Sequence, residues 1–455
     1  MNERGRRWVA VALGLLFSLA FVEFPLLSLN ALKFTTTEVI IAFFLIVAVL
    51  TLDLRRLRID RITIGLAVVM VSMIVTTLAI ADGRLAAAKF IVRFGVGVAL
   101  FIFLRQLFSE RRMVLTASRA LAAGSVVYSG IGIWQHFAPK AANTLLKFIV
   151  PDKFAVFDPS STLSFTTGIF FNGERFIVRA SSIFGYCNTF SYYLVVTIGA
   201  AILLLLVDKD RYWRQLAALS IGLGLYALWL TYSRGAWLAL AGGLTVGVLC
   251  WARLTVVRGW KRWGALAGVI ALVVVSLCAT FMVRRGTPTA ETNDEAVSET
   301  GESWLGEQTA AMGGDTVQTR RLLWSAALSL WRTAPVFGIG VDRFRFHFYG
   351  HLPEPNFDLL VGQGLYQPHN IFLTALAGQG LLGLAALLFL AVVILHTLLR
   401  RWRAQPGAEY AVAVGLLTVV ALANLYDAMM FDSYVHMLLV GYVLALITAQ
   451  GKHDE

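Results

Sequence analysis

Residues 369–399, HNIFLTALAGQGLLGLAALLFLAVVILHTLL, decide the fold class of this chain. The stretch contains no Asp, Glu, Lys or Arg. It is longer than the ~20 apolar residues that a helix needs to cross ~30 Å of hydrocarbon. Because it does not alternate polar and apolar residues as a barrel strand would, it predicts a transmembrane helix.

Similar apolar stretches recur along the whole chain. The 455 residues are 58% hydrophobic, with a mean hydropathy of +0.71, which is more than a soluble core can bury. We therefore expect an all-α integral membrane protein, a single polytopic domain over 1–455 with about 12 crossings. The predicted crossings are 8–29, 38–54, 62–80, 86–104, 113–137, 188–207, 213–231, 235–252, 263–282, 369–399, 408–426 and 431–449.

The net charge of +12 is distributed as in a membrane protein rather than a nucleic-acid-binding protein. Clusters of Lys and Arg occur in every second loop, for example at 55–61, 253–262 and 400–403. The alternate short loops carry few, as the positive-inside rule requires. This pattern predicts that both termini are cytoplasmic and that no nucleic acid is bound.

Two long loops, 138–187 and 283–368, are expected on the periplasmic side. The second loop is polar and acidic over 286–315, and residues of about 320–333 then read as an amphipathic helix with Trp324, Leu328 and Trp331 on one face. Such a face favours the membrane interface. The rest of the loop is rich in Gly, Pro and aromatics and should fold as a lid.

The ionisable residues near helix ends collect on that same side. Lys89 and Arg93 are one helical turn apart, and His136 and His369 lie at the mouths of helices. Placing a charged side chain in lipid costs about 2.5–3.5 kcal/mol, so each such residue is a candidate for a functional role. An ion or proton carrier would place such groups through the midplane, and the chain also lacks the internal repeat common in transporters.

Arginines in the outer loops indicate an anionic substrate. Arg179 opens the stretch that ends at Asn188, Arg234 lies in the tight turn TYSRGAW at 231–237, and Arg320 and Arg321 start the amphipathic helix. Arginine binds phosphate in a bidentate manner. For a single arginine, contact with lipid headgroups is the competing interpretation, and for His369 and Asn370 it is capping of the helix. A histidine at this place can also take a proton from a hydroxyl near neutral pH.

No metal or other cofactor is expected. The one Asp-x-Asp sequence, Asp208-Lys209-Asp210, falls on the predicted cytoplasmic side, away from the arginines. Cys187, Cys250 and Cys278 show no metal-binding spacing and are interpreted as packing residues. Cationic side chains would then stabilise a leaving group without a metal.

These motifs resemble the O-antigen ligase and polymerase superfamily of bacterial membrane proteins. The matching pieces are Arg179 with its following Phe-Gly-x-x-Asn, the turn at 231–237, Arg320 with Trp324, Gly338-Ile-Gly340, and His369-Asn370-x9-Gly-x-x-Gly. The last spacing resembles the ligase branch. By residue match, His369, Arg234 and Arg320 take the family's essential positions, with the register between Arg320 and Arg321 left open.

The resemblance implies a GT-C-like glycosyltransferase in the bacterial inner membrane, with a periplasmic active site. It would move O-antigen glycan from undecaprenyl pyrophosphate to a sugar hydroxyl of lipid A–core, independently of ATP and metal. His369 would be the base, and Arg234 and Arg320 would bind pyrophosphate, with inversion at the sugar carbon. The expected partners are the lipid-linked donor, the lipid A–core acceptor and membrane lipids. Further substrate-binding residues are expected to be Arg179, Arg321, Lys89, Arg93, Asn370 and Asn188.

Three alternatives remain open. An O-antigen polymerase would use the same donor, but polymerases often carry Arg-x10-Gly motifs in two outer loops. Gly does not occur at that spacing after any of the arginines tested in the two long loops: Arg175, Arg179, Arg284, Arg320, Arg321, Arg332, Arg343 and Arg345. A protein O-oligosaccharyltransferase also shares the donor and is usually longer. A flippase or exporter of lipid-linked glycan would do no chemistry.

Overall fold

The computed structural model describes residues 2–29, 32–56, 59–80, 84–150, 169–172, 175–254, 316–352, 367–404, 407–426 and 433–448. Three sequence predictions lie outside these residues: the crossing at 263–282, the acidic stretch 286–315, and the part of the lid at 353–366. Asp427 and Asp432 in the last predicted outer turn also lie outside.

The described residues form fourteen α-helices and two short hairpins. The elements in chain order are α1 Glu3–Leu19, β1 Pro25–Leu29, β2 Leu32–Thr35, α2 Thr36–Thr51, α3 Arg61–Ala79, α4 Arg84–Leu107, α5 Arg111–Phe137, α6 Pro139–Ile149, β3 Ile169–Asn172, β4 Arg175–Val178, α7 Cys187–Val207, α8 Arg211–Leu230, α9 Arg234–Leu254, α10 Thr316–Thr333, α11 Phe344–His347, α12 Ile371–Ala404, α13 Ala408–Tyr426 and α14 Tyr434–Thr448. The strands form two antiparallel pairs, β1 with β2 and β3 with β4.

The expected all-α membrane fold is confirmed. Within the described residues seven helices, α3, α4, α5, α7, α9, α12 and α13, are long and apolar enough to cross a membrane. Two shorter helices, α2 and α14, are also apolar. Helices α1 and α8 occupy two more of the predicted stretches.

The first predicted crossing, 8–29, differs from the structure. Helix α1 ends at Leu19, and residues 25–29 pair with 32–35 instead. The chain turns away from helix because Pro25 lacks a backbone N–H and disfavours helix at the residue before it. Thr36 then fixes the base of the hairpin, since its backbone N–H donates to the Phe24 carbonyl at 2.9 Å.

The two ends of the bundle differ in charge chemistry. At one end, which we call the basic end, ion pairs join neighbouring helices: Arg105–Asp60 at 2.9 Å, Arg111–Glu409 at 3.2 Å and Arg119–Asp208 at 2.8 Å. The opposite end, the loop end, holds the turn 231–233, His136 and Asn370. The ion pairs between helices and the candidate site residues therefore lie at opposite ends of the bundle.

Helix α7 is the most buried of the crossing-length helices in the described residues. Its Tyr193 is fully buried and packs edge-on against Phe21 and Tyr128, with ring centroids 4.8 Å and 5.6 Å apart. Aromatic pairs in this geometry add to the gain from burial. The start of α7, near Asn188, is consequently held in place by the core.

Close approach of α9 and α13 depends on glycine. A Cβ on Gly243 would lie 2.7 Å from the Gly415 carbonyl oxygen, and one on Gly415 would lie 2.8 Å from the Gly243 carbonyl oxygen. Small residues let helix backbones approach inside a membrane. This contact brings the start of α9 and the end of α13 to the loop end together.

Helix α12 is interrupted at Gly380, where φ is 64° and ψ is −155°. Residues 335–340, which we call the strap, bond to the exposed backbone of the break. Ile339 N–H donates to Ala377 and Gly340 N–H to Gly378, while Leu381 N–H donates to the Pro335 carbonyl, all at 2.9–3.0 Å. Irregular backbone at such depth is tolerated only where protein satisfies it.

The break predicts a specific sensitivity to Gly380→Ala. Alanine has little access to this backbone conformation, and its Cβ would lie 2.4 Å from the Val336 carbonyl oxygen. We expect a loss of stability of about 1–3 kcal/mol, measured as a lower thermal unfolding midpoint of the purified protein in detergent. Gly130→Ala is the control, because a Cβ there meets no atom within 4 Å. Equal midpoints for the two variants would show that the strap does not depend on the break.

Candidate functional site

The turn between α8 and α9 holds Arg234 at the loop end. Tyr232 adopts φ +52°, a left-handed conformation that side chains other than glycine rarely take. Ser233 is buried, and its N–H donates to the Thr231 hydroxyl at 3.2 Å. Arg234 is the first residue of α9, so a strained three-residue turn fixes where its side chain begins.

Arg179 is tied to that turn. Its Nε donates to the Thr231 carbonyl at 2.7 Å, and its Nη2 donates to Oδ1 of Asn188 at 3.3 Å. The next residue strengthens the link, since Ala180 N–H donates to the Leu230 carbonyl at 2.9 Å. These contacts give Arg179 and Asn188 a role in positioning the turn, in addition to the substrate contact that the sequence suggests.

A buried amide network holds the backbone after Arg179. Gln135 of α5 accepts from the backbone N–H groups of Ser181 and Ser182 at 2.7 Å and 2.9 Å. Its Nε2 donates to Asn143 of α6 at 2.7 Å. Sequence reasoning missed this network, because Gln135 lies within an apolar run and gives no local signal of its distant partners.

His136 lies beside the same turn. Its ring centroid is 6.3 Å from that of Tyr232. Burial raises the pKa of the Tyr232 phenol, so this hydroxyl stays protonated at neutral pH. The sequence places His136 at a helix mouth, but its contact with the Arg234 turn follows only from the packing of α5 against α8.

His369 and Asn370 stand at the entry to α12. His369 has φ +49°, and Oδ1 of Asn370 accepts from the N–H groups of Phe372 and Leu373 at 3.0 Å and 3.1 Å. Asn370 is therefore the cap of the helix, as the simpler interpretation of the sequence held. Its Nδ2 also donates to the Leu425 carbonyl at the end of α13, at 3.2 Å.

The end of α13 links this entry to the Arg234 turn. Leu425 accepts the hydrogen bond from Asn370, and Leu422, one turn earlier, contacts Gly242 of α9. The starts of α9 and α12 thus lie on either side of the end of α13. Arg234 and His369 share the loop end for this reason.

Helix α10 docks beside His369 through a tryptophan. Nε1 of Trp324 donates to the carbonyl of Pro368 at 2.8 Å, the residue immediately before His369. Arg320 is one turn before Trp324 and so lies on the same face of α10. Arg321 is exposed, which favours Arg320 as the residue directed towards His369.

Helix α10 buries a second face, apart from the predicted interfacial face of Trp324, Leu328 and Trp331. Leu323, Ala326 and Leu330 pack with Phe348 and Ala377 in one apolar cluster. Leu328 is exposed, as an interfacial residue would be. Trp331 instead bonds to the Pro335 carbonyl at 3.1 Å, so the aromatic residues of α10 serve as hydrogen-bond donors to the lid and the strap.

Lys89 and Arg93 lie on α4, which packs against α14. Arg93 stands 5.2 Å from the ring centroid of Tyr434 at the start of α14, a cation–π distance. Lys89 is exposed one turn earlier. A place for these two residues at the edge of the site stays a prediction.

Structural roles account for the Asp208-Lys209-Asp210 segment at the basic end. Asp208 forms a two-pronged ion pair with Arg119 at 2.8 Å and 2.9 Å, and these hydrogen bonds lower the pKa of its carboxyl. Asp210 caps α8 by accepting from Tyr212 N–H at 2.9 Å. Among the described residues, no group of three or more His, Cys, Asp or Glu side chains could hold a metal ion.

The loop end therefore combines an imidazole with several guanidinium groups. An imidazole can accept a proton from a hydroxyl, and guanidinium groups stabilise phosphate oxygens. The two kinds of group are carried by different helices, joined by the contacts of Trp324, Asn370 and Arg179. Such an arrangement can support attack of a hydroxyl on a centre whose leaving group is a phosphate.

Part of the chain matches a known protein family. Residues 219–388, from α8 to the second half of α12, match the family model described as O-antigen ligase. No curated protein matches the chain significantly. The matched segment contains Arg234, Arg320 and His369, and members of this family are glycosyltransferase-like enzymes. Residues 219–388 are thus similar to the O-antigen ligase family, and this match together with the apolar helices indicates a multi-pass membrane protein.

Proposed function

We propose that this protein is an O-antigen ligase. It transfers a glycan from undecaprenyl pyrophosphate to a sugar hydroxyl of lipid A–core at the periplasmic face of the inner membrane, without ATP or metal. The observation that carries the proposal is the Trp324–Pro368 hydrogen bond. It ties the helix that bears Arg320 to the residue before His369, which supports a site where a cation and a base act on one substrate.

The reaction is a single displacement. His369 takes the proton of the acceptor hydroxyl while its oxygen attacks the anomeric carbon of the donor sugar. The bond from that carbon to the pyrophosphate oxygen breaks, and undecaprenyl pyrophosphate leaves with the electron pair. Arg234 and Arg320 stabilise the charge that develops on the leaving group, and the configuration at the carbon inverts.

The donor pyrophosphate is assigned to the Arg234 side of the site. Arg234 opens a helix of 21 residues, whose first N–H groups and dipole favour an anion. Arg179 holds the preceding turn through the Thr231 carbonyl. The pyrophosphate would therefore meet donors that are already in position before the reaction begins.

Reconstitution tests the function directly. Purified protein in detergent is mixed with the lipid-linked glycan and lipid A–core, with chelator and without nucleotide, and the joined product is followed on a gel. We expect joined lipopolysaccharide. Extension of the donor glycan without use of lipid A–core would indicate a polymerase, and a strict need for Mg²⁺ or Mn²⁺ would contradict the metal-free mechanism. Movement of donor across vesicles without product would indicate a flippase.

His369→Ala should abolish the transfer in that assay. Loss of a general base costs about 10²- to 10⁴-fold in rate, measured as initial velocity at saturating donor and acceptor. His396→Gln is the matched control, because His396 contacts Arg61 near the basic end. Near-normal velocity for His369→Ala would leave His369 as a structural residue of the helix entry.

Trp324→Phe should lower kcat and leave the KM for donor nearly unchanged. Phenylalanine keeps most of the ring but loses the N–H that holds Pro368, so the segment before His369 is less well fixed. A single hydrogen bond of about 0.5–1.5 kcal/mol corresponds to roughly 2- to 12-fold in kcat. Trp331→Phe is the control, because the Pro335 carbonyl keeps its bond from Leu381 N–H. Equal kcat values for the two variants would remove Trp324 as a positioning residue.

Lysine substitutions should separate the two arginines. Arg234 follows a strained turn and has little room to re-aim a point charge, so Arg234→Lys should lose the equivalent of ~2–4 kcal/mol, or roughly 30- to 1000-fold in rate. Arg320 is near the first turn of α10 and has more freedom, so Arg320→Lys should be milder. The measurement is kcat/KM for the donor. Equal tolerance of lysine would show that net positive potential suffices at both positions.

A further inference from the structure

A second group of cationic side chains lies beyond the strap, around Arg343. Nη2 of Arg343 is 3.1 Å from Nε2 of His347. Its Nε and Nη1 are buried and have no hydrogen-bond partner among the described residues. Buried N–H groups of a charged side chain are costly when they lack an acceptor. Two nitrogens of this guanidinium can therefore donate to an acceptor that the described part of the chain does not supply.

The segment around Arg343 is held in place by packing and hydrogen bonding. Phe344 and Phe348 are buried in the cluster that joins α10 and α12, with ring centroids 5.4 Å apart. Nδ1 of His351 is 2.9 Å from the Ser329 hydroxyl of α10. The segment 342–351 is thereby fixed to the same helices that carry Arg320 and His369.

Gly340 makes room for the Arg343 side chain. A Cβ at Gly340 would lie 2.8 Å from Cδ of Arg343 and 2.8 Å from Cδ1 of Ile80. Ile80 follows the last residue of α3, a helix of crossing length. The Arg343 stem therefore lies at the loop end of a helix that is long and apolar enough to cross a membrane.

The ionisable groups around Arg343 are mostly basic. His347 and His351 lie one and two turns after Arg343, and Arg84 of α4 donates to the Ile80 carbonyl at 2.9 Å. Burial, then Arg343 and His351, lowers the pKa of His347. The neighbouring carboxylate of Asp342 is already bonded to Arg345 at 2.7 Å.

Apolar side chains flank the cations on the outside. Phe346 is 63% exposed, and Val336 and Phe337 of the strap are 52% and 42% exposed. Exposed aromatic and aliphatic groups beside basic ones are typical of contact with a membrane interface. A lipid with an anionic headgroup fits this combination better than a soluble anion does.

We propose that Arg343, with His347 and His351, binds a phosphate group on a lipid headgroup, at a subsite separate from the Arg234 turn. The guanidinium turns from His347 towards the phosphate, whose oxygens accept from the N–H groups that now lack a partner. This lipid is the glycolipid acceptor, an assignment that rests on the proposed function. Its phosphate would orient its sugar towards His369. A membrane phospholipid could supply the same chemistry, and the experiment below distinguishes the two.

Binding without turnover tests the subsite. Full-length protein in phosphatidylcholine nanodiscs is titrated, with no donor present, with fluorescent lipid A–core and with the same lipid after phosphatase treatment. Arg343→Gln should weaken binding of the phosphorylated lipid on the order of 10- to 100-fold, as expected for the loss of charge-assisted hydrogen bonds. Binding of the dephosphorylated lipid should be the same in Arg343→Gln and the unmodified protein.

Arg345→Gln is the matched control, because it removes the same charge from an exposed residue two positions away. We expect its binding to stay within about threefold of the unmodified protein. A misfolded Arg343→Gln variant would lose binding of both the phosphorylated and the dephosphorylated lipid. The deciding quantity is therefore the difference in affinity between these two lipids. Equal weakening by both substitutions, or none by either, would overturn the subsite.

Competition identifies the source of the phosphate. Phosphatidic acid added to the nanodiscs should leave binding of lipid A–core unchanged if the subsite selects the acceptor. Displacement by phosphatidic acid at equal concentration would assign the subsite to membrane phospholipid and overturn its assignment to the acceptor. Because no glycan is transferred in these titrations, their outcome is independent of whether the protein is a ligase.

Discussion

The backbone hydrogen bonds between the strap and the break in α12 are the constraint on which the loop end depends. A continuous helix would leave residues 335–340 with no partner, and a break without the strap would leave peptide groups of Ala377 and Gly378 unsatisfied inside the bundle. Gly338 and Gly380 make the contact possible, because both have positive φ and neither has room for a Cβ. The strap in turn carries the segment with Arg343.

Helix α10 follows from the same constraint. It packs on the first part of α12 through Leu323 and Leu330, and Trp324 then ties it to Pro368. The first part of α12, α10 and the segment 342–351 therefore form one packed unit around His369. A change at the break would be transmitted through this unit to the segment with His369 and to the helix that carries Arg320.

The two ends of the bundle use arginine in different ways. At the basic end Arg105, Arg111 and Arg119 pair with carboxylates of neighbouring helices, so their charge stabilises the packing. At the loop end Arg179 donates to a carbonyl and an amide oxygen, and these two bonds orient the turn before Arg234.

Hydropathy by itself determined the membrane class and the approximate helices, since each is a local property of the chain, while the histidine and arginine set stays a prediction from motifs. It also gave the amphipathic helix at α10, but not the face that is buried, because that face depends on Phe348 and Ala377. Only the tertiary structure decided that Arg179 holds the Arg234 turn, that Trp324 reaches Pro368, and that two side-chain nitrogens of Arg343 are buried. These contacts join residues far apart in sequence, and their geometry is set by packing between helices, which periodicity does not encode.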